Sequence, residues 1–487
     1  MLVVAIVVYS GLAVYSILAG PSGELRFWNP NWVAKQDLQA KGAPQVPHYW
    51  SPDSVWYAEL AKNLLNHHRF SRQTEPPYLW EPYRTPGYPV LVALGQMMTG
   101  HEWGVLLFNP LFAVLMLWSI VGLAHELWRN GAVTRLSGWL TIFLPPCLGW
   151  SEFLLTDYVH GCLTVTAFYL TVVAVRRAKW SYGIGAALAW SACQWIRPTS
   201  EMAAVFIILI AVWEARRRPQ FLLTGFLIAA SFLTPLYLCY RMFHDYGVFT
   251  VSLLGRHVTR YHLVSVAEAM ATGQSESATL KRSFETDAEL IAEFDPQRLA
   301  QDRSVPPTSF GLELLGGTRN LTLPLYDVQG EAIRDALKKY PRYLVIAYGK
   351  GFFSEALWAP WGSPFRWENP QIRTAIAHLM RLAYWLFLAL ALVATWEVIR
   401  HGNSRGPLII WLSSLFWVAA ASIAAAGGSR YRFPGDLLLI PLVACGWMVL
   451  AHKLGSYTEL GTKPHGEEPT ERDTGHYVFR SAIRIHS

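Results

Sequence analysis

The chain has 487 residues, of which 52% are hydrophobic, 14% aromatic and only 15% charged. So few charges cannot cover the surface of a soluble protein of this length, which excludes a soluble globular enzyme and makes lipid the solvent for much of the chain. The formal net charge of +7 is scattered over short connections between apolar runs. That is the pattern of topological signals, and it predicts no nucleic-acid partner.

Apolar segments long enough, or nearly so, to cross roughly 30 Å of hydrocarbon lie near 2–19, 104–127, 136–150, 153–174, 181–196, 201–213, 219–240, 376–399, 407–426 and 436–451. A further apolar stretch, 86–99, is interrupted by Pro86, Gly87 and Pro89. The fold class this predicts is an all-α polytopic membrane protein. Residues 2–19 lack a preceding Lys or Arg and read as an uncleaved first span. The five cysteines (Cys147, Cys162, Cys193, Cys239, Cys445) all fall inside apolar runs, so they read as small core residues and not as disulfide partners.

The basic connections "RNGAVTRL" (129–136), "RRAK" (176–179), "EARRRPQ" (214–220) and "RHGNSRG" (400–406) face one side if the spans alternate. By the positive-inside rule that side is the cytoplasm. The first loop 20–103, "SEFLLTD" (151–157), "WIRPTS" (195–200), the long segment 241–375 and "GGSRYRFP" (427–434) are then external. The predicted organisation is an N-terminal transmembrane module, 1–240, that includes the outer loop 20–103. An external subdomain, 241–375, follows, with a charged helical pattern at 277–294 and an amphipathic one at 335–358. C-terminal spans, 376–451, and a polar, disordered cytoplasmic tail, 452–487, complete the chain.

In the first outer loop, Pro52 suits the first turn of a helix and Asp53 faces its dipole, which alone accounts for an acid there. The helix that follows carries Trp56, Leu60 and Leu64 on one face and is expected to lie on the outer leaflet, with Asp53 at headgroup level. Arg84 in "EPYRTPGYP", Arg197 in "WIRPTS" and the pair Arg430 and Arg432 in "SRYRFP" sit at the outer ends of spans, where the positive-inside rule predicts few cations. Each serves either as a headgroup anchor or as a phosphate ligand, since a guanidinium matches phosphate bidentately. Asp157, with Glu152 before it, is the second acidic candidate, either a helix-start residue or a group that orients an acceptor or helps to bind a divalent cation.

The order "PDSVWYAELAKNLL", "RTPGYP", "WIRPT" and "SRYRFP" resembles the bacterial glycosyltransferases related to dolichyl-phosphate-mannose protein mannosyltransferases and to the lipid A aminoarabinose transferases, the GT-C membrane glycosyltransferases of the family 39-like group. The resemblance runs over about residues 50–450 and fades in 241–375. It implies a GT-C-like bundle of about 10–12 transmembrane helices with outer juxtamembrane helices and an external α-rich loop subdomain that faces the acceptor. It also implies inverting transfer of a sugar from a polyprenyl-phosphate donor to a lipid, glycan or protein acceptor on the periplasmic face of the inner (plasma) membrane. The catalytic candidates are Asp53, as general base, and Asp157; Arg84, Arg197, Arg430 and Arg432 are the candidates for the donor phosphate. Many relatives carry two adjacent acids in the first loop, whereas Ser54 follows Asp53 here, so no cofactor is predicted and a divalent cation is left open. The competing functions are a transporter or flippase, or a polymerase or ligase, for lipid-linked sugars.

Overall fold

The computed structural model describes residues 1–19, 49–50, 52–73, 76, 78–177, 179–199, 205, 220–292, 319–358, 361, 370–400, 405–422 and 431–460. Among these residues the chain is all-α, without a strand. The tail beyond 460, Ser51, Arg430 and nearly all of the expected span 201–213 lie outside them.

Helix α1 (Leu2–Leu18) is apolar all round and buries one line, Ala5, Tyr9, Ala13 and Ser16, with the i, i+4 spacing of a single helix face. Helices α2 (Pro52–His67) and α3 (Gly87–Thr99) follow, then a 3₁₀ stretch (Glu102–Phe108) that leads into α4 (Asn109–Trp128). Helix α5 (Gly131–Phe143) starts where the Asn130 side chain accepts hydrogen bonds from the backbone N–H groups of Ala132 and Val133. It stops at Leu144, which adopts an extended backbone because Pro145 follows, and a short α6 (Pro145–Trp150) takes over. Helices α7 (Thr156–Arg177) and α8 (Trp180–Ile196) form the most extensive helix pair, and α9 (Gln220–Ala230) and α10 (Leu233–Tyr246) complete the first module.

A second layer comprises α11 (Leu254–Val258), a π-helical turn (Thr259–Val264), α12 (Ser265–Thr272), α13 (Glu276–Ala292), α14 (Arg319–Lys339), α15 (Pro341–Phe353) and a second π-helical turn (Ser354–Trp358). Its own small core contains Val264, Ala267, Ala336, Leu344 and Ala347. Three helices then close the bundle: α16 (Pro370–Arg400), α17 (Arg405–Ser422) and α18 (Phe433–Leu460).

Side-chain contacts fix the relative directions of the helices. Asn109 at the start of α4 donates to the Ser151 carbonyl just before α7, and Glu126 near the end of α4 pairs with Arg177 at the end of α7, so α4 and α7 run parallel. Gly161 of α7 faces the Phe433 ring of α18. Lys453 of α18 reaches Glu397 of α16, and Gly446 lies against the Leu390 carbonyl, so α16 and α18 are parallel as well. One end of the bundle thereby gathers the starts of α7 and α18, and the other carries the Glu126–Arg177 and Glu397–Lys453 pairs.

Several expectations change. Among the described residues four stretches are long and apolar enough to cross a membrane: Glu102–Trp128, Thr156–Arg177, Gln371–Arg400 and Phe433–Leu454. The expected spans 136–150 and 219–240 are each two shorter helices, broken at Leu144–Pro145 and at Ser231–Phe232. The amphipathic stretch 335–358 divides at Tyr340, because Pro341 cannot continue the preceding helix. Helix α2 does not present its apolar face to lipid, since Trp56, Tyr57, Leu60 and Ala61 are buried in the protein. The exposed apolar stripe belongs to α3, where Val90, Leu94, Met97 and Met98 face outward at helical spacing and fit an interfacial helix.

Candidate active site

Helix α2 is held at its first turn. The Ser54 hydroxyl donates to the Leu154 carbonyl at 2.7 Å, and the Tyr57 ring meets Tyr88 edge-on at 5.0 Å, so the first loop is fastened to the segment that precedes α7. The chain between α2 and Arg84 is equally constrained. Asn63 donates to the Ser71 and Gln73 carbonyls, and Glu81 pairs with Arg72, whose guanidinium stacks on Trp56 and Tyr83. The Tyr83 backbone N–H also donates to Glu81. This clasp carries Arg84 back to the start of α2, where its Nη2 lies 3.2 Å from Asp53 Oδ1. The Asp53 side chain keeps 23% of its surface exposed and Arg84 keeps 10%.

A second pair stands beside the first. Asp157, in the first turn of α7, accepts from Arg197 Nη1 at 2.7 Å; its side chain is 0% exposed and that of Arg197 is 14% exposed. Helix α8 ends at Ile196 because Pro198 forces the residue before it into an extended conformation, and Arg197 has φ −156° and ψ 122°. The Thr85 hydroxyl donates to the Ile196 carbonyl at 2.9 Å, and a Cβ on Gly87 would fall 2.6 Å from the Trp195 carbonyl, so only glycine lets α3 begin against the end of α8. The buried Tyr88 phenol is held above its ordinary pKa by burial first and then by Tyr57 and Asp157. Asp53, Arg84, Asp157 and Arg197 therefore gather as two ion pairs at one end of the bundle.

Arg432 is arranged differently. It is fully buried, its Nε lies 3.2 Å from both Asp436 oxygens one helical turn on, its Nη1 donates to the Glu355 carbonyl, and its guanidinium lies 3.8 Å from the Tyr384 ring centroid. Trp361 Nε1 donates to the same Asp436 at 2.9 Å. Such an arrangement anchors the start of α18 and turns the guanidinium inward. Tyr431 links the two regions, since the Arg197 guanidinium stacks on its ring at 4.8 Å. Arg430 lies outside the described residues.

Sequence reasoning missed Glu355, which is 1% exposed beside Arg432 and whose Oε2 has no hydrogen-bond partner among the described residues. Burial raises its carboxyl to about 8, with Arg432 opposing and Asp436 reinforcing the shift, so it carries a proton at neutral pH. No sequence signal marks it. Asp436, by contrast, was findable from its i, i+4 spacing to Arg432.

Among the described residues no group of three or more His, Cys, Asp or Glu side chains is placed to hold a metal ion. Asp53 and Asp157 are each matched by a guanidinium.

No protein-family profile matches the chain, and no curated protein matches it. Among solved structures it is similar to the archaeal oligosaccharyltransferase AglB from Archaeoglobus fulgidus, determined with an inhibitory peptide and a dolichol-phosphate. The identity is 14% and the TM-score 0.49, and the match covers 100% of this chain and 54% of that one. It is also similar to ArnT from Cupriavidus metallidurans bound to undecaprenyl phosphate (13%, TM-score 0.32, 89% and 80% covered). The arabinosyltransferase EmbB from Mycobacterium smegmatis matches at 15% identity and a TM-score of 0.32, with 93% and 42% covered. The chain thus spans about half the length of the first of these, at 54%, and less than half of the last, at 42%. Likeness at this level assigns no residue a role.

Proposed function

We propose that the protein is an inverting glycosyltransferase that moves a sugar from a polyprenyl-phosphate donor to a lipid, glycan or protein acceptor on the external, periplasmic face of the inner membrane. The observation that carries this reading is the partly exposed Asp53 carboxylate, 3.2 Å from a guanidinium that comes from a separate, rigidly clasped segment. The motif resemblance agrees with it.

Asp53 accepts the proton of the acceptor hydroxyl as that oxygen attacks the anomeric carbon. The bond from that carbon to the phosphate oxygen breaks on the opposite face, and the phosphate leaves with the electron pair. No general acid is required, because the departing group is an anion that Arg84 and Arg197 stabilise. Before the donor arrives, Arg84 holds Asp53; when a phosphate takes over Arg84, the carboxylate loses its cation and becomes a stronger base. Donor binding then arms the base, and the partial exposure of the pair keeps the exchange inexpensive. Arg432 supports the site as an anchor of α18 instead of touching phosphate.

A transporter or flippase would place charged groups midway along its spans. Here the paired charges lie at the two ends of the bundle, which supports chemistry at the surface. The test is transfer from a radiolabelled polyprenyl-phosphate sugar in membranes. Asp53→Asn should lower turnover by roughly 10²–10⁴-fold, and transfer at the wild-type rate would overturn the reading.

A further inference from the structure

The end of α10 and the turn that leads into α11 are stitched to the segment that carries Arg84. The Leu253 N–H donates to the Pro82 carbonyl at 2.8 Å, the Ser252 hydroxyl to the Tyr83 carbonyl at 2.9 Å and the Tyr246 hydroxyl to the Trp80 carbonyl at 2.7 Å. The Tyr83 ring meets His257 edge-on at 6.1 Å.

Behind His257 runs a buried chain of three polar side chains drawn from three helical elements. The Tyr261 hydroxyl lies 2.6 Å from Asp287 Oδ2, and Gln329 Nε2 lies 3.5 Å from the Tyr261 oxygen and 3.2 Å from His257 Nδ1. Arg260 sits 3.4 Å from the other Asp287 oxygen and 3.5 Å from Glu268, so Asp287 is ion-paired on the side away from Tyr261. The proton positions then follow from what each group can do. A carboxylate only accepts, so the Tyr261 proton points at Asp287. The Tyr261 oxygen therefore accepts, and the group facing it must be the Gln329 amide NH₂; the reversed amide would set two acceptors against each other. The second N–H of that nitrogen points at His257 Nδ1, which must accept, leaving the ring proton on Nε2.

We propose that the chain Asp287–Tyr261–Gln329–His257 is a tautomer lock, and that His257 is a positioning residue which, held neutral with its proton on Nε2, keeps the Tyr83–Arg84 segment in place against Asp53. The proposal rests on the reading of Arg84 as the phosphate ligand. Burial first, and then the Arg84 charge, pushes His257 down to about 3. Of the titratable and charged groups around it, Arg84 is the one that shifts it; Tyr83 faces it from the first loop, and Arg260, Tyr261 and His262 follow it in its own helical run, with Asp287 of α13 beyond Tyr261. His262 is itself lowered to about 4 by burial and by His257. An imidazolium at 257 would put a second cation behind Arg84 and repel it, so the lock keeps Arg84 the cation offered to a phosphate.

Three arms test this with purified full-length protein in detergent. In the first, ¹⁵N spectra of histidine-labelled protein, assigned by the signal lost in His257→Gln, are expected to show a bare Nδ1 and a protonated Nε2 that do not titrate between roughly pH 5 and 8. In the second, Gln329→Glu replaces the N–H that faces Nδ1 with an acceptor; the ring proton should move to Nδ1 or the ring should titrate, and affinity for undecaprenyl monophosphate should fall about tenfold. Wild-type thermal midpoint and monodispersity qualify this variant for comparison. A titrating wild-type His257, or unchanged phosphate affinity in Gln329→Glu, overturns the proposal. The third arm is Arg84→Ala. If it loses phosphate binding while Gln329→Glu does not, the phosphate reading holds and the positioning role fails. If Arg84→Ala binds like the wild type, the phosphate reading fails and the nitrogen spectra alone decide the lock.

Discussion

Replacing Asp157 with Asn separates the two acids by their energetics. The Asp157 side chain is 0% exposed and its partner Arg197 is 14% exposed at 2.7 Å, so the substitution leaves a nearly buried guanidinium without its counter-charge. Removing one partner of such a pair costs about 3–5 kcal/mol, and the residual exposure of Arg197 places the expectation at the lower end. The stack of Arg197 on Tyr431 is present in both proteins and cancels from the difference. The double variant Asp157→Asn/Arg197→Gln removes both charges, so it should lose less than the sum of the two single variants by roughly 1–3 kcal/mol. The assay is the thermal midpoint of detergent-purified protein followed by intrinsic tryptophan fluorescence at one fixed scan rate, because unfolding of a membrane protein is commonly irreversible. Asp53→Asn, which removes a partly exposed charge, should move the midpoint little while removing turnover. An unchanged midpoint in Asp157→Asn, or additive losses in the double variant, would refute the reasoning that this pair is a buried structural partner of the site.

Other outcomes follow from single contacts. Glu355 is raised from 4.5 to about 8, so between those pH values the folded form holds a proton that the unfolded form has lost, and stability falls as pH rises through this window. Glu355→Gln should therefore flatten the dependence of the thermal midpoint over that range and raise the midpoint near its upper end; parallel curves would remove the buried proton. A Cβ on Gly446 would fall 1.9 Å from the Leu390 carbonyl, so Gly446→Ala should separate α16 from α18 and lower the midpoint by an amount equivalent to about 1–3 kcal/mol, whereas Gly11→Ala, which meets open space, should not. All five native cysteines are buried, so Ser275→Cys and Lys179→Cys report on topology cleanly. An impermeant maleimide should label the first in intact cells and the second only after permeabilisation, and the reverse would put Asp53 on the wrong side for an external donor.

The sequence by itself determined that this is a helical membrane protein, because runs of apolar residues have no other way to satisfy their backbone groups in lipid. It also marked helix ends through local chemistry: Pro52 opens α2, Pro145 stops α5 and Pro198 leaves Arg197 extended at the end of α8. The candidates Asp53, Arg84, Asp157 and Arg197 were legible as charges at the ends of apolar segments. Their pairing was not, since Arg84 joins Asp53 across 31 positions and Arg197 joins Asp157 across 40. Local periodicity says which face of a helix is apolar, but not which distant segment will cover it. For that reason α2 read as an interfacial helix although its face is buried, and Arg432 read like the other outer arginines although Asp436, Tyr384 and the Glu355 carbonyl enclose it. Glu355 and His257 carried no signal at all, because a lone acid or imidazole acquires its protonation state from burial and neighbouring charge, and only the packed tertiary structure supplies both.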